Sequence, residues 1–197
     1  MRRLLHTVKN IPTPLLPPWY TQVTWMSANE HLKTNYHCNQ DTEIECKWYK
    51  GTTNNKYVYA GDSSTSWTTN TTAYISSGNW YWRFDGDAIG LQWNIRTTYV
   101  TIQNKEWVRR NGTKYGSYDN VSNYTWTITL GLWGGGSGAT GEMRIYYLQV
   151  RDYNTKEILH NYIPCLNPDD KAWMFDTVDG EFFEIQDKSG AEYWSAI

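Results

Sequence analysis

From Tyr20 onward the chain falls into short runs rich in β-branched and aromatic residues, separated by clusters of Gly, Asn, Asp, Ser and Thr. No window sustains an i, i+3, i+4 apolar pattern long enough for a helix. Strands are expected at Tyr20 to Ser27, Glu43 to Tyr49, Lys56 to Ala60, Ala73 to Ile75, Trp80 to Phe84 and Leu91 to Ile95. Further strands are expected at Tyr99 to Gln103, Trp107 to Arg110, Thr113 to Tyr118, Thr125 to Trp133, Glu142 to Arg151 and Glu157 to Ile163. Strands with no helices between them cannot form a parallel sheet with crossover helices, so the expected fold class is all-β, two antiparallel sheets packed as a jelly-roll sandwich.

Composition supports this. Of 197 residues, 12 are Trp and 16 are Tyr, flat side chains that fit a pleated surface. This length suits one large all-β domain. Residues 1–18 are expected to lie outside it as an extended arm, because Ile11 to Pro18 holds four of the six prolines, each fixing φ and lacking a backbone donor. Residues 19–197 then form the binding domain. The Gly134 to Gly138 run between two expected strands is too short for a domain linker and is expected to be a loop.

With a net charge of -2 and 19% charged residues, the chain offers no extended cationic field for a phosphate backbone, which argues against nucleic acid as partner. It also has no apolar run long enough to span a bilayer and no polybasic patch for lipid heads, which argues against a membrane. The first residues lack the apolar core of a signal peptide, so Sec export is not expected. Three cysteines, Cys38, Cys46 and Cys165, are too few for a disulfide framework, and free, mostly buried thiols are expected. The clearest local signal is Trp107 to Arg110, then Asn111-Gly112, then Thr113 to Tyr115, because Asn-Gly accepts the positive φ values of a two-residue hairpin turn.

Several ordered blocks carry a family likeness. Leu16-Pro-Pro-Trp-Tyr-Thr-Gln-Val23, Thr34-Asn-Tyr36 and Asp41-Thr-Glu-Ile-Glu-Cys46 open it. Gly141 to Val150, Ile163-Pro-Cys-Leu-Asn-Pro168 and Met174-Phe-Asp-Thr-Val-Asp-Gly-Glu-Phe182 close it in the family's order. Over roughly residues 16 to 184 the chain resembles the laminin-G-like, concanavalin A-like jelly-roll domains of gut bacterial and phage surface proteins. It departs from the family's pattern at Ser27-Ala-Asn-Glu-His31 and after Glu184. The resemblance implies adhesion, glycan contact or particle decoration, and no catalytic residues.

A glycoside hydrolase needs two carboxylates about 5 to 9.5 Å apart. Asp41-Thr-Glu43-Ile-Glu45 and Glu181-Phe-Phe-Glu184 are the nearest runs, and both are expected to be solvent-facing charges alternating with inward residues such as Ile44. His31, His37, Cys38 and Cys46 lack the paired spacing of a zinc site, and Asp85-Gly-Asp87 is expected to be a turn and not a calcium loop. No metal or cofactor is expected. Trp67 and Trp133 lie in or beside polar loops and Trp80 opens a strand, which makes these three the candidate sugar-stacking residues, whereas Trp25, Trp48, Trp107 and Trp126 are expected in the interior. Arg2, Arg3, Leu4 and Leu5 in the arm are the candidate anchor to a capsid or tail protein.

The expectation is therefore a non-enzymatic, virion-associated structural or decoration protein with a binding domain for host-surface glycans, located on the virion surface. A bacterial cell-surface adhesin or carbohydrate-binding module, or a glycan hydrolase or lyase, are the alternatives. Homo-oligomer formation is left open.

Overall fold

The computed structural model describes residues 20–25, 32–50, 56–61, 72–76, 79–84, 87–92, 97–118, 126–130, 143–166, 172–184 and 192–195. These form sixteen strands and no helix. In chain order they are β1 (Tyr20–Trp25), β2 (Leu32–Cys38), β3 (Thr42–Lys50), β4 (Lys56–Gly61), β5 (Thr72–Ser76), β6 (Asn79–Phe84), β7 (Asp87–Gln92) and β8 (Thr97–Gln103). There follow β9 (Trp107–Arg110), β10 (Thr113–Ser117), β11 (Trp126–Leu130), β12 (Met143–Asp152), β13 (Ile158–Leu166), β14 (Ala172–Asp176), β15 (Glu181–Glu184) and β16 (Glu192–Ser195). The arm at 1–18, with Arg2, Arg3, Leu4 and Leu5, lies outside the described residues.

All pairings are antiparallel, in a jelly-roll sandwich of two sheets. One runs β10-β9-β8-β3-β12-β13-β14-β15, with β1 added beside β12 and β16 beside β1; the other runs β2-β11-β4-β5-β6-β7. Among the described residues one core lies between them. The first sheet contributes Ile44, Cys46, Trp48, Val108, Ile145, Leu148, Val150, Tyr162 and Met174, and the second contributes Cys38, Ala73, Trp82 and Phe84. The sheets also touch through rings, with Phe84 of β6 5.9 Å from Tyr118 and Tyr36 of β2 5.1 Å from His160 of β13.

Period-two alternation explains β3. Ile44, Cys46 and Trp48 point into the core while Glu43, Glu45 and Lys47 share the opposite face. The Trp48 indole N–H donates to Thr101 at 3.2 Å, so the ring is buried without an orphaned donor. On β12 the register shifts between Ile145 and Tyr147, a bulge that lets Ile145 and Leu148 both face inward although they are three residues apart. After it, Tyr147, Gln149 and Arg151 fall on the outer face beside β3.

The expected hairpin is present. Asn111 has φ 47° and Gly112 has φ 84°, with Thr113 paired to Arg110. Other strands differ from expectation. β2 has the right alternation, Thr34 and Cys38 being buried, but Lys33, Asn35 and His37 at the alternate positions have low strand propensity. β14, β15 and β16 are four or five residues long and emerge only through their partners. β13 was expected to stop before Pro164 and instead continues to Leu166. The last β13 residue in register with β12 is Tyr162, opposite Leu148, so Pro164 falls where the ladder to β12 has ended.

Candidate functional site

Two clusters of ionisable side chains stand out on the larger sheet. The first occupies its outer face where β3 begins, between the β8–β9 and β12–β13 turns. Glu43 pairs in register with Arg151, and Glu45 with Gln149. Glu43 accepts from Asn104 Nδ2 at 3.0 Å and from Lys156 Nζ at 2.9 Å. Glu45 accepts from Arg151 Nη1 at 2.8 Å and from the Tyr147 hydroxyl at 2.6 Å. Arg151 also donates to Gln149, and Asn104 uses its side-chain oxygen to accept the amides of Glu106 and Trp107, which locks the adjoining turn. Burial and the hydrogen bond to Glu45 push the Tyr147 phenol well above its usual range. Tyr153, bonded to Glu106, is pushed up to about 12.

This corrects one expectation. Glu181 and Glu184 are solvent-facing, but Glu43 is only 4% exposed. The physical reason is that side chains from two neighbouring turns close over the sheet face there and supply the donors that make burial of a carboxylate tolerable.

The second cluster sits on the inner side of β13 and β14, next to β2. His160 Nδ1 donates to Asp176 Oδ2 at 2.5 Å, and the other oxygen of Asp176 accepts the amides of Asn161 and Val178, both at 3.0 Å. The His160 ring stacks on Tyr162 at 5.7 Å and meets the edge of Tyr36. Tyr162 in turn donates to Asn35 at 3.1 Å. Burial raises the Asp176 carboxyl, but the His160 bond and the two amides outweigh it and hold the group below its usual value. His160, Asp176 and the exposed Asp179 bring three donor atoms within 4.8 Å of one another. However, the His160 and Asp176 atoms already serve each other and the backbone, so the group works as a hydrogen-bonded brace between β13 and β14. Sequence reasoning missed it, because His160 and Asp176 are sixteen residues apart and only β13–β14 pairing joins them.

Of the expected stacking residues, Trp67 and Trp133 lie outside the described residues. Trp80 is placed on β6, paired with Ile75 and Leu91, with its side chain outside the described part. Trp48 is in the core as expected. Trp107, also expected in the interior, is half-buried instead, with the Arg109 guanidinium 4.4 Å from its ring centroid. The three cysteines are buried and form no disulfide; burial pushes the Cys165 thiol up to about 12 and Cys46 well above its usual range. His37 is exposed on β2 and His31 lies outside the described residues.

No family model matches the chain, and no curated protein matches it. Among solved structures it is similar to a protein from Mycobacterium abscessus provisionally described as a beta-glucanase. The identity is 14% over 65% of this chain and 73% of that one, with a TM-score of 0.37. A likeness at that level bears on neither mechanism nor ligand.

Proposed function

We propose that this chain is a non-enzymatic binding module, a jelly-roll domain that contacts glycans and is displayed on a virion surface. The observation that carries the non-enzymatic reading is the state of the Glu43–Glu45 pair. Two residues apart on one strand face, roughly 7 Å, they have the spacing of a glycosidase pair. Yet each carboxylate is held by a cation and a second fixed donor, Lys156 and Asn104 for Glu43, Arg151 and Tyr147 for Glu45. A general acid must carry a proton, and a nucleophile must reach an anomeric carbon. Neither carboxylate is set up for these tasks.

The glycan and virion parts rest on the resemblance of the ordered sequence blocks. Purified protein applied to a broad glycan panel should bind without releasing reducing ends or unsaturated sugars. Turnover that disappears in Glu43→Ala or Glu45→Ala would overturn the reading. Mass spectrometry of particles purified from the source tests the setting, and absence of the chain there favours a bacterial surface adhesin.

A further inference from the structure

We propose that the β9–β10 hairpin is the recognition surface for the anionic groups of an acidic glycan, a proposal that rests on the binding-module reading and names its ligand class. Between Trp107 and Tyr118 the chain carries Arg109, Arg110 and Lys114 and no acidic residue, in a protein whose net charge is -2. The strands pair Lys114 with Arg109, which places both exposed cations on one face of the hairpin. Among the described residues neither forms an ion pair.

The arrangement is held in place. Asn111 both donates its amide to the Val100 carbonyl and accepts the Val100 amide through its side chain, each at 2.8 Å, so the turn is clamped to β8. The Arg109 guanidinium lies over Trp107 at 4.4 Å. That of Arg110 lies over Tyr115 at 4.2 Å and donates to its hydroxyl. The Arg109 guanidinium, stacked on its ring, has lost side-chain freedom in advance and keeps its N–H edges available for carboxylate or sulfate oxygens. The stacking has a second consequence. The cations take ring faces that a neutral sugar would need, so the hairpin presents charge more than bare aromatic surface. The patch is also small, suited to one or two anionic groups and not to the run of phosphates that gives a nucleic acid its affinity.

The test uses the full chain and Arg109→Glu/Lys114→Glu in affinity electrophoresis through gels containing a polyuronate, sulfated dextran, neutral dextran or single-stranded DNA. The wild type should be retarded by the polyuronate or the sulfated dextran, which tells carboxylate from sulfate recognition, and less so as salt rises. The variant should lose roughly tenfold or more in affinity, because each reversal turns attraction into repulsion. Both sites are exposed, so its melting temperature should be unchanged; if it is lowered, Arg109→Gln/Lys114→Gln replaces it. Unchanged retardation of the variant, equal retardation by neutral dextran, or preference for DNA overturns the assignment. A neutral glycan bound equally by wild type and variant overturns the hairpin alone, whereas binding to no glycan on gel or panel sinks the binding-module reading as well.

Discussion

Glu43 and Asp176 are both acidic side chains buried on the larger sheet, on opposite faces, and they are neutralised by different means. Glu43 is served by Lys156 and Asn104 on the outer face, and Lys156 is half exposed at 52%. Asp176 is 0% exposed and is served by two backbone amides and His160. A lysine on a long stem can return its charge to water if its partner is lost. A backbone amide fixed in a turn cannot. Equal burial therefore implies unequal dependence on the carboxylate.

The largest effect should come from Asp176→Ala, which leaves the Asn161 and Val178 amides without an acceptor and the His160 ring with only the more distant, exposed Asp179 at 3.5 Å, a loss of about 3 to 5 kcal/mol. Denaturant unfolding measures it, and a loss near that of a surface substitution would break the comparison. The acid limb sharpens it. Because the folded Asp176 carboxyl lies below its ordinary value of 3.8, its stabilisation is present above 3.8 and is lost as pH falls through the folded value. The stability gap between wild type and Asp176→Asn should therefore hold down to about pH 4 and shrink below it.

Glu43→Ala should cost less, about 1 to 3 kcal/mol, because Arg151 keeps Glu45 at 2.8 Å and Lys156 can rehydrate. A cost matching that of Asp176→Ala would show that the outer cluster is as rigid as the brace. Smallest should be Lys105→Ala, which removes the partly exposed pair with Asp41 at 3.0 Å. A double-mutant cycle with Asp41→Ala should give no more than about 1 kcal/mol, fading as salt is added. A larger, salt-independent coupling would place that pair with the buried network.

Much of the fold was legible where local chemistry and burial agree. The alternation of Ile44, Cys46 and Trp48 with Glu43, Glu45 and Lys47 points to one inward face, and Asn111-Gly112 specifies its own turn. Illegibility began where pairing supplies what propensity lacks. β2 carries lysine, asparagine and histidine at alternate positions and is a strand because β11 pairs with it. β15 and β16 are too short to announce themselves and are ordered by β14 and β1.

The candidate sites divide along the same line. Glu43 and Glu45 were visible as a strand-face pair, but not the donors that enclose them, since Asn104, Arg151 and Lys156 arrive from 61, 108 and 113 residues away (104 − 43, 151 − 43 and 156 − 43). The cation-rich hairpin is largely local. Its charges, its turn residues and the rings beneath its arginines sit within a dozen residues, and the rest of the fold adds the pairing of β9 with β8 and the clamp of Asn111 on Val100. The His160–Asp176 brace is the reverse case. An aspartate titrates near its ordinary value anywhere in an open chain. Only the register of β13 on β14 brings the His160 ring and the Asn161 and Val178 amides onto Asp176, and together they outweigh the burial that would raise its carboxyl.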